Sequence, residues 1–139
     1  MDEKIEMKKT LLWLDDVRDP LRNDWLVFSP ITDPIYDVVW VKSYKEFINW
    51  ITENGLPTAI CFDHDLADFS YNPEKGQEMV IWHEKTGMDC AKWLVDYCLD
   101  NKLTLPLYNI QSANPSGKDN IDGLLKNFIK YQNKNGILE

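Results

Sequence analysis

The amino-acid sequence predicts an α/β fold with a parallel sheet of about four strands and helices on both faces of that sheet. Four short apolar runs alternate with amphipathic stretches, which is typical of strands buried on both faces and connected by helices. No internal repeat or linker interrupts this pattern, and 139 residues fit one domain of ordinary size. We therefore expect one domain over residues 1–139.

The predicted strands are continuous apolar runs that end at polar residues. In chain order they cover residues 11–14, 38–41, 59–62 and 105–110. Aspartates follow the first and third runs, and a polar loop follows the fourth. The short, apolar or β-branched composition of these runs favours strands in the interior of a sheet.

Capping signals mark where the predicted helices begin. Ser43 and Glu46 form a capping-box pattern before the first helix, which ends at Gly55. A second helix begins at Thr86, and the last begins near residues 116–118. These helices connect the second, third and fourth predicted strands and follow the last one.

Two connections are long for a compact domain. Residues 18–34 contain three prolines and are predicted to be a loop with at most a short helix. Residues 66–85 form an insertion in which the hydrophobic periodicity fades and Asn72, Pro73 and Gly76 are turn signals. An insertion of this length usually serves as a lid or a binding loop, and we expect such a role for residues 66–85.

The composition argues against an extended nucleic acid or a membrane as a partner. The chain has 15 Lys+Arg against 23 Asp+Glu, a net charge of −8, whereas nucleic-acid binding needs basic side chains. No apolar run approaches the roughly 18 residues of a membrane span, and the charged first residues do not resemble a secretory signal. Three cysteines without metal-ligand spacing are expected to be reduced thiols. We expect a cytoplasmic protein that is a monomer or a weak homo-oligomer.

Carboxylates follow the first and third predicted strands. Asp15 and Asp16 come directly after the first strand, and Asp63 and Asp65 come after the third. Ligands of parallel sheets bind beyond the C-terminal strand ends, and these carboxylates would repel one another there if left unpaired. The pattern therefore predicts a site for a hard divalent cation such as Mg²⁺, or an acid site. For Asp15 and Asp16 alone, a strand-to-loop cap is the alternative interpretation.

His64 stands between Asp63 and Asp65 at the third strand end. A general acid or base needs a pKa near the working pH, and carboxylates on either side of an imidazole favour its protonated form. The alternative interpretation is a solvent-exposed or structurally hydrogen-bonded histidine.

A polar loop precedes the last predicted helix. Ser112 and Asn114 offer side-chain donors there, Lys118 offers a charge, and helix N-termini attract anions. If this loop faces the carboxylates, it would hold a phosphate between a metal ion and the helix. The alternative interpretation is a plain capping loop in which Pro115 fixes the turn.

Four motifs in order resemble the cyclic-phosphate-processing receiver-like domain, a divergent branch of the response-regulator receiver fold that occurs in bacteria and their phages. The resemblance covers residues 11–128. The motifs are Leu14-Asp15-Asp16-Val17-Arg18-Asp19-Pro20, Phe62-Asp63-His64-Asp65-Leu66, Thr86-Gly87-Met88-Asp89, and Ser112-Ala113-Asn114-Pro115-Ser116-Gly117 with Asn120. The resemblance implies a flavodoxin-like three-layer sandwich with strand order 2-1-3-4. Many members are expected to carry a histidine where this chain has Gln111.

The resemblance also implies an activity, the hydrolysis of a cyclic phosphodiester on a small nucleotide or ADP-ribose-like compound. We expect Mg²⁺ or Mn²⁺ as the cofactor. The expected metal ligands are Asp15, Asp16 and Asp63, the expected catalytic residues are Asp63, His64 and Asp65, and the expected substrate-binding residues are Arg18, Ser112, Asn114 and Lys118. In this hypothesis His64 protonates the leaving alkoxide and Asp65 fixes its tautomer. Asp63 could instead attack the phosphorus, and Arg18 could instead form a surface salt bridge.

A non-enzymatic module is the alternative to a hydrolase. Such a module would bind a phosphorylated or cyclic nucleotide without cleaving it, or would contact a protein partner beside the last helix. The chain has no fifth strand ending in Lys-Pro, as receivers have, which argues against a phosphorylation switch.

Overall fold

The computed structural model describes residues 9–66, 68–71, 79–82 and 86–134. The chain forms six strands, three α-helices and one 3₁₀ helix within these residues. In order these elements are β1 (Thr10–Leu14), a 3₁₀ helix (Trp25–Phe28), β2 (Asp37–Val41), α1 (Tyr44–Asn54), β3 (Ala59–Phe62), β4 (Asp68–Tyr71), β5 (Met79–Trp82), α2 (Gly87–Asn101), β6 (Leu107–Ile110) and α3 (Pro115–Lys134).

The main sheet has four parallel strands in the order β2-β1-β3-β6. This arrangement confirms the predicted order 2-1-3-4. The register pairs Leu14 with Phe62, and Phe62 with Ile110, so the strands end level with one another. The residues that follow β1, β3 and β6 consequently emerge side by side at one edge of the sheet.

The two faces of the sheet are covered differently. One face packs against all three α-helices, with Phe47 of α1, Leu94 of α2 and Leu125 of α3 in a single apolar cluster. The opposite face, which includes Trp13, is covered by the 3₁₀ helix and the residues around it. The connection from β1 to β2 leads towards one side of the sheet, whereas those from β2 to β3 and from β3 to β6 lead towards the other side. Because such crossovers are right-handed, the connection from β1 to β2 lies on the opposite face of the sheet from the later connections.

The helix starts follow the capping signals closely. Ser43 Oγ accepts a hydrogen bond from Glu46 N at 3.1 Å, while Glu46 Oε1 accepts one from Lys42 N at 2.8 Å. Thr86 and Asp89 form a complete capping box at α2. These bonds satisfy backbone N–H groups that have no partner within the first turn of a helix.

The helix α3 begins at Pro115, slightly earlier than the predicted start near residues 116–118. Asn114 caps it, because its Oδ1 accepts a hydrogen bond from Gly117 N at 3.0 Å. Proline is well suited to the first helical position, since its missing N–H would have no partner there. The loop residue Asn114 therefore positions the whole helix.

Part of the predicted insertion at residues 66–85 is an antiparallel β-hairpin. Strands β4 and β5 pair from Asp68 opposite Trp82 to Tyr71 opposite Met79. No strand was predicted in this insertion. Val80, Ile81 and Trp82 have high strand propensity, but the segment lacks the sustained alternation of apolar and polar residues by which a strand is recognised from sequence. Asn72, Pro73 and Gly76, the predicted turn residues, lie outside the described residues.

The cysteines are unpaired and buried within the apolar layers. Cys61, Cys90 and Cys98 are free thiols, and burial raises the pKa of Cys98 to about 11. In the part of the chain that the structure describes, no helix has the length and apolar character to cross a membrane.

Candidate functional site

Three carboxylates meet where β1 and β3 end. One oxygen each of Asp15, Asp16 and Asp63 lies within 4.8 Å of the others. Asp15 is completely buried, Asp63 is 4% exposed and Asp16 is partly buried. Hard oxygen ligands at this spacing fit a divalent cation such as Mg²⁺ or Mn²⁺, which binds through a few carboxylates and retains waters.

The Asp15 side chain is held in place by the loop that follows it. Its Oδ1 accepts hydrogen bonds from Val17 N at 3.1 Å and from Arg18 N at 2.9 Å. Its backbone oxygen accepts a hydrogen bond from the indole of Trp40 at 2.7 Å. Because these bonds come from both β2 and the following loop, Asp15 is presented in one fixed orientation.

Arg18 lies between the carboxylates and an aromatic ring. Its Nη1 is 3.1 Å from Asp15 Oδ2 and 3.7 Å from Asp63 Oδ1. Its guanidinium also lies 5.0 Å from the centre of the Trp25 ring. Arg18 was expected to contact substrate, with a surface salt bridge as the alternative. The structure shows a largely buried ion pair at the site itself.

The surroundings of the Asp63 carboxyl group disfavour its ionised form. Burial is the main cause that raises the pKa of Asp63 to about 7, and the charges of Asp15 and Asp16 raise it further. Arg18 acts in the opposite direction but does not offset these effects. A carboxyl group in this state favours an additional proton or cation, which is the condition under which a bound divalent ion is most stabilising.

His64, Asp65 and Asn114 form a polar chain beside the carboxylates. His64 Nδ1 is 2.8 Å from Asp65 Oδ1, and Asn114 Nδ2 lies 3.3 Å from the same oxygen. The hydrogen bond from His64 is the main cause that lowers the pKa of Asp65, and Asn114 adds to it. The histidine is thus held through Nδ1, and none of the described residues forms a hydrogen bond with its Nε2.

Two glycines allow helices to approach this edge closely. A Cβ atom on Gly117 would lie 2.4 Å from Cγ of the His64 ring. A Cβ atom on Gly87 would lie 1.9 Å from the backbone oxygen of Asp63. Gly87 N also donates a hydrogen bond to His64 O at 2.8 Å. The first turns of α2 and α3 therefore pack directly on the segment that carries Asp63 and His64.

The predicted phosphate-binding residues lie in the loop before α3 and in its first turn. Ser112 Oγ accepts a hydrogen bond from Asn114 N at 3.1 Å. Lys118 N donates to Asn114 O at 2.9 Å, and the Lys118 side chain is exposed. The charge of Lys118 is a minor contributor to the lowered pKa of Asp122, one turn further along the helix. Of these residues, the side chain of Asn114 is the one that contacts the predicted catalytic residues.

Gln111 belongs to this site, although the expected site residues did not include it and the resemblance marked it only as the position where many members carry a histidine. It is 4% exposed, and its Nε2 donates to Leu14 O at 3.0 Å and lies 3.4 Å from Asp15 Oδ2. Its Oε1 is buried and has no hydrogen-bond partner among the described residues. The signal that would have found it is its position directly after β6, level with Asp15 and Asp63.

One comparison with known proteins identifies a family for the chain. A family model described as the cyclic-phosphate processing receiver domain matches residues 10–127. The matched span begins at β1 and ends within α3, so it includes every residue described above at this edge of the sheet. No curated protein and no solved structure matches the chain.

Proposed function

Because the chain belongs to the family of cyclic-phosphate processing receiver domains, we propose that it is a metal-dependent hydrolase of a cyclic phosphodiester on a small nucleotide or ADP-ribose-like molecule. The observation that carries this proposal is the placement of a carboxylate cluster beside a histidine–aspartate pair. Asp15, Asp16 and Asp63 converge there, and His64 is hydrogen-bonded to Asp65. This arrangement joins the two groups that such hydrolysis needs, a cation site and a proton donor.

The carboxylates are suited to holding the cation. Asp15, Asp16 and Asp63 would be the ligands of Mg²⁺ or Mn²⁺. Such an ion, when bound, neutralises charge on the phosphate and lowers the pKa of a bound water. Gln111 and the loop N–H groups keep Asp15 oriented, and Arg18 adds a positive charge at the same place.

His64 would supply the proton that the leaving group requires. Its Nδ1 is occupied by Asp65, so Nε2 is the nitrogen that would donate to the departing alkoxide oxygen when the P–O bond breaks. Gly117 supports the imidazole ring from the first turn of α3. His64 would regain a proton from solvent before the next cycle.

The loop before α3 would bind the nonbridging phosphate oxygens. A serine hydroxyl both accepts and donates hydrogen bonds, so Ser112 can donate to phosphate while it accepts from Asn114 N. Backbone N–H groups at the helix start and the charge of Lys118 would add to this anion site.

Two routes of attack on the phosphorus are part of the proposal. Water would attack directly, or Asp63 would attack first and form an acyl phosphate that water then hydrolyses. Acid quenching during turnover separates the routes, since only the second leaves the substrate phosphate covalently attached to Asp63, where mass spectrometry detects it.

The test is product release from a panel of cyclic phosphates. The panel contains 2′,3′-cyclic nucleotides, ADP-ribose cyclic phosphate and 3′,5′-linked cyclic nucleotides, each with Mg²⁺, Mn²⁺ or EDTA. We expect metal-dependent turnover of at least one member, lost in Asp63→Asn and in His64→Ala. Asp33→Asn, which removes an exposed carboxylate paired with Lys9, is the control and should retain activity. Absence of turnover across the panel would overturn the proposal for these substrates.

A non-enzymatic module is the second candidate function. Gln111 favours it, because an amide at this strand end cannot transfer a proton. In that case Asp63 would accept a phosphoryl group, or the site would bind a cyclic nucleotide unchanged. Stable labelling by acetyl phosphate that requires Asp63, or recovery of intact bound ligand, would support this candidate.

A further inference from the structure

A cavity opens next to the carboxylate cluster, in the connection from β1 to β2. Its volume is about 410 Å³, and it is lined by Val17, Arg18, Asp19, Arg22, Asn23 and Trp25. Pockets for small molecules usually have volumes of roughly 300–1,000 Å³. The cavity is therefore large enough for one ring system with its immediate substituents.

Arg18 connects this cavity to the proposed catalytic site. Its Nη1 is 3.1 Å from Asp15 and 3.7 Å from Asp63, and its guanidinium is 5.0 Å from the centre of the Trp25 ring. One side chain thus faces both the carboxylates and the cavity. A ligand whose phosphate lies at the carboxylates would reach the cavity across Arg18.

The cavity lining has the chemistry that binds planar heteroaromatic rings. The chain has only two arginines, Arg18 and Arg22, and both line this cavity. A guanidinium is planar and stacks on aromatic surfaces, which an ammonium group does not. The guanidinium of Arg18 already lies on the Trp25 indole. Asn23 adds an amide that can both donate to and accept from the edge of a base.

The cavity wall is held in an uncommon backbone conformation. Asn23 and Asp24 have φ angles of 53° and 59°, in the left-handed region that residues other than glycine seldom adopt. A hydrogen bond from Trp25 N to Arg22 O at 3.2 Å closes this turn. The Trp25 ring is also stacked on Phe28, with 6.1 Å between ring centres. The turn thereby fixes Arg22, Asn23 and Trp25 around the opening.

We propose that this cavity is the subsite for the nucleobase of the substrate, stacked against the Arg18–Trp25 pair while the phosphate lies at the carboxylate cluster. This inference rests on the proposed function and assigns the place at which the base of its substrate binds. Arg22 and Asn23 would contact the ring or its polar edge, and Val17, which is 69% exposed, would cover part of it.

The test compares the binding of adenosine 5′-monophosphate with that of ribose 5-phosphate in Mg²⁺ buffer. Neither compound is a cyclic ester, so neither is consumed. We expect the nucleotide to bind about tenfold more tightly, which is the scale of one base stacked on an aromatic side chain. The indole N–H resonance of Trp25, identified by its loss in Trp25→Leu, should shift with adenosine 5′-monophosphate and not with ribose 5-phosphate.

Variants separate the subsite from general effects on the fold. Trp25→Leu should remove the preference for the nucleotide, whereas Tyr131→Leu, an exposed aromatic residue on α3, should keep it. Arg22→Gln provides a second variant at a side chain that is 77% exposed and should weaken the preference without affecting folding. Equal affinities for the two ligands, no detectable binding of either, or full preference in Trp25→Leu would overturn the subsite.

The outcome is distinct from that of the proposed function. If a cyclic phosphate of the panel is hydrolysed and the preference for adenosine 5′-monophosphate over ribose 5-phosphate is absent, the hydrolase stands and the subsite fails. If the nucleotide preference is present and no cyclic phosphate is hydrolysed, the subsite stands and the hydrolase fails.

Discussion

Asp63 is a site residue whose surroundings disfavour its negative charge. It is buried next to Asp15, and a single arginine, Arg18, counteracts the repulsion. The pKa of its carboxyl is raised to about 7, so that at neutral pH the group is poised between its charged and neutral forms. Its ionised state costs folding free energy in the absence of a cation, which links the site to global stability.

The first prediction concerns stability as a function of pH in EDTA. The pKa of Asp63 is about 7 in the folded protein against 3.8 for the model group, so the folded state binds its proton more tightly than the unfolded state. This group therefore reduces stability progressively as the pH rises from about 4 to about 7. Asp63→Asn should be more stable than the wild type at pH 8 by about 2–4 kcal/mol. The gain should vanish near pH 4, as measured by urea unfolding.

Asp33→Asn is the control for the loss of one negative charge, since Asp33 is an exposed partner of Lys9. It should show no comparable gain at pH 8. A gain in Asp63→Asn that is equal at pH 4 and pH 8 would contradict the assignment of the effect to this carboxyl group.

The second prediction concerns Arg18 as a cation that competes with the metal ion. Its Nη1 forms an ion pair with Asp15 Oδ2 and also lies near Asp63, so it interacts with two carboxylates that would bind the metal ion. Arg18→Gln should therefore move the pKa of Asp63 further upward and, at pH 8, bind Mg²⁺ more tightly by roughly three- to tenfold. Isothermal titration calorimetry measures this change. Arg22→Gln, which removes a pair with Asp19 outside the cluster, should leave Mg²⁺ affinity unchanged. Weaker Mg²⁺ binding by Arg18→Gln would show that the arginine supports the cation site.

The sequence predicts some site residues better than others. Asp15, Asp16 and Asp63 stand directly after apolar runs, and a parallel sheet brings such positions to one edge without further information. Gln111 also stands directly after an apolar run, but an amide is not a typical catalytic group, and Trp25 carries no such signal. Their roles depend on an amide reaching across to Asp15 and on the folding of a loop with little periodicity, and only tertiary structure specifies these contacts.

At the scale of elements, the helix α3 shapes the site through its first turn. Asn114 caps the helix through Gly117 N and also contacts Asp65, while Gly117 packs against the His64 ring. The same loop therefore fixes the helix start and the imidazole. Sequence reasoning placed Asn114 among the ligands of phosphate, but the spacing alone could not show that its oxygen is used by the helix.

The third prediction compares two glycines of α3. A Cβ on Gly117 would collide with the His64 ring, whereas a Cβ on Gly123 would meet no atom within 4 Å. Gly117→Ala should displace the imidazole, visible as a change in the His64 ring resonances, and should reduce turnover by about tenfold or more. Gly123→Ala should keep full activity and stabilise the protein by about 1 kcal/mol, because alanine is the better helix former. Unchanged His64 resonances in Gly117→Ala would contradict the close packing of the two residues.

Elements with strong local signals were predicted well. The strands and the first two helix starts follow from apolar runs and capping residues, and the observed bounds differ by about two residues at most. The hairpin of β4 and β5 was not predicted. Its strands are stabilised by pairing with each other, and a short run with strand propensity does not reveal which other run pairs with it.

At the scale of the whole molecule, the parallel sheet collects all candidate groups at one edge. The strands end level, so Asp15, Asp63 and Gln111 emerge from three adjacent strands. The three α-helices cover one face and the 3₁₀ helix covers the other. The cavity beside Trp25 lies in the loop that leads into this short helix.

The fold class could be predicted from the sequence because apolar runs alternate with amphipathic stretches, whereas the strand order followed from the family resemblance. The unequal covering of the two faces was not predicted. It depends on the direction of each crossover, and the prolines between residues 18 and 34 indicated only that an α-helix was disfavoured there.

The fourth prediction is also the most direct test of the central claim that the carboxylates and His64 form a metal-dependent hydrolytic site. The measurement is a ³¹P NMR time course of the whole panel of cyclic phosphates, incubated with the protein in Mg²⁺ and, separately, in EDTA. We predict that the cyclic phosphate signal is replaced by a monoester signal only in Mg²⁺, and that Asp63→Asn and His64→Ala abolish the conversion. Persistence of the cyclic signal in Mg²⁺, or equal conversion in EDTA or by Asp63→Asn, would contradict the account.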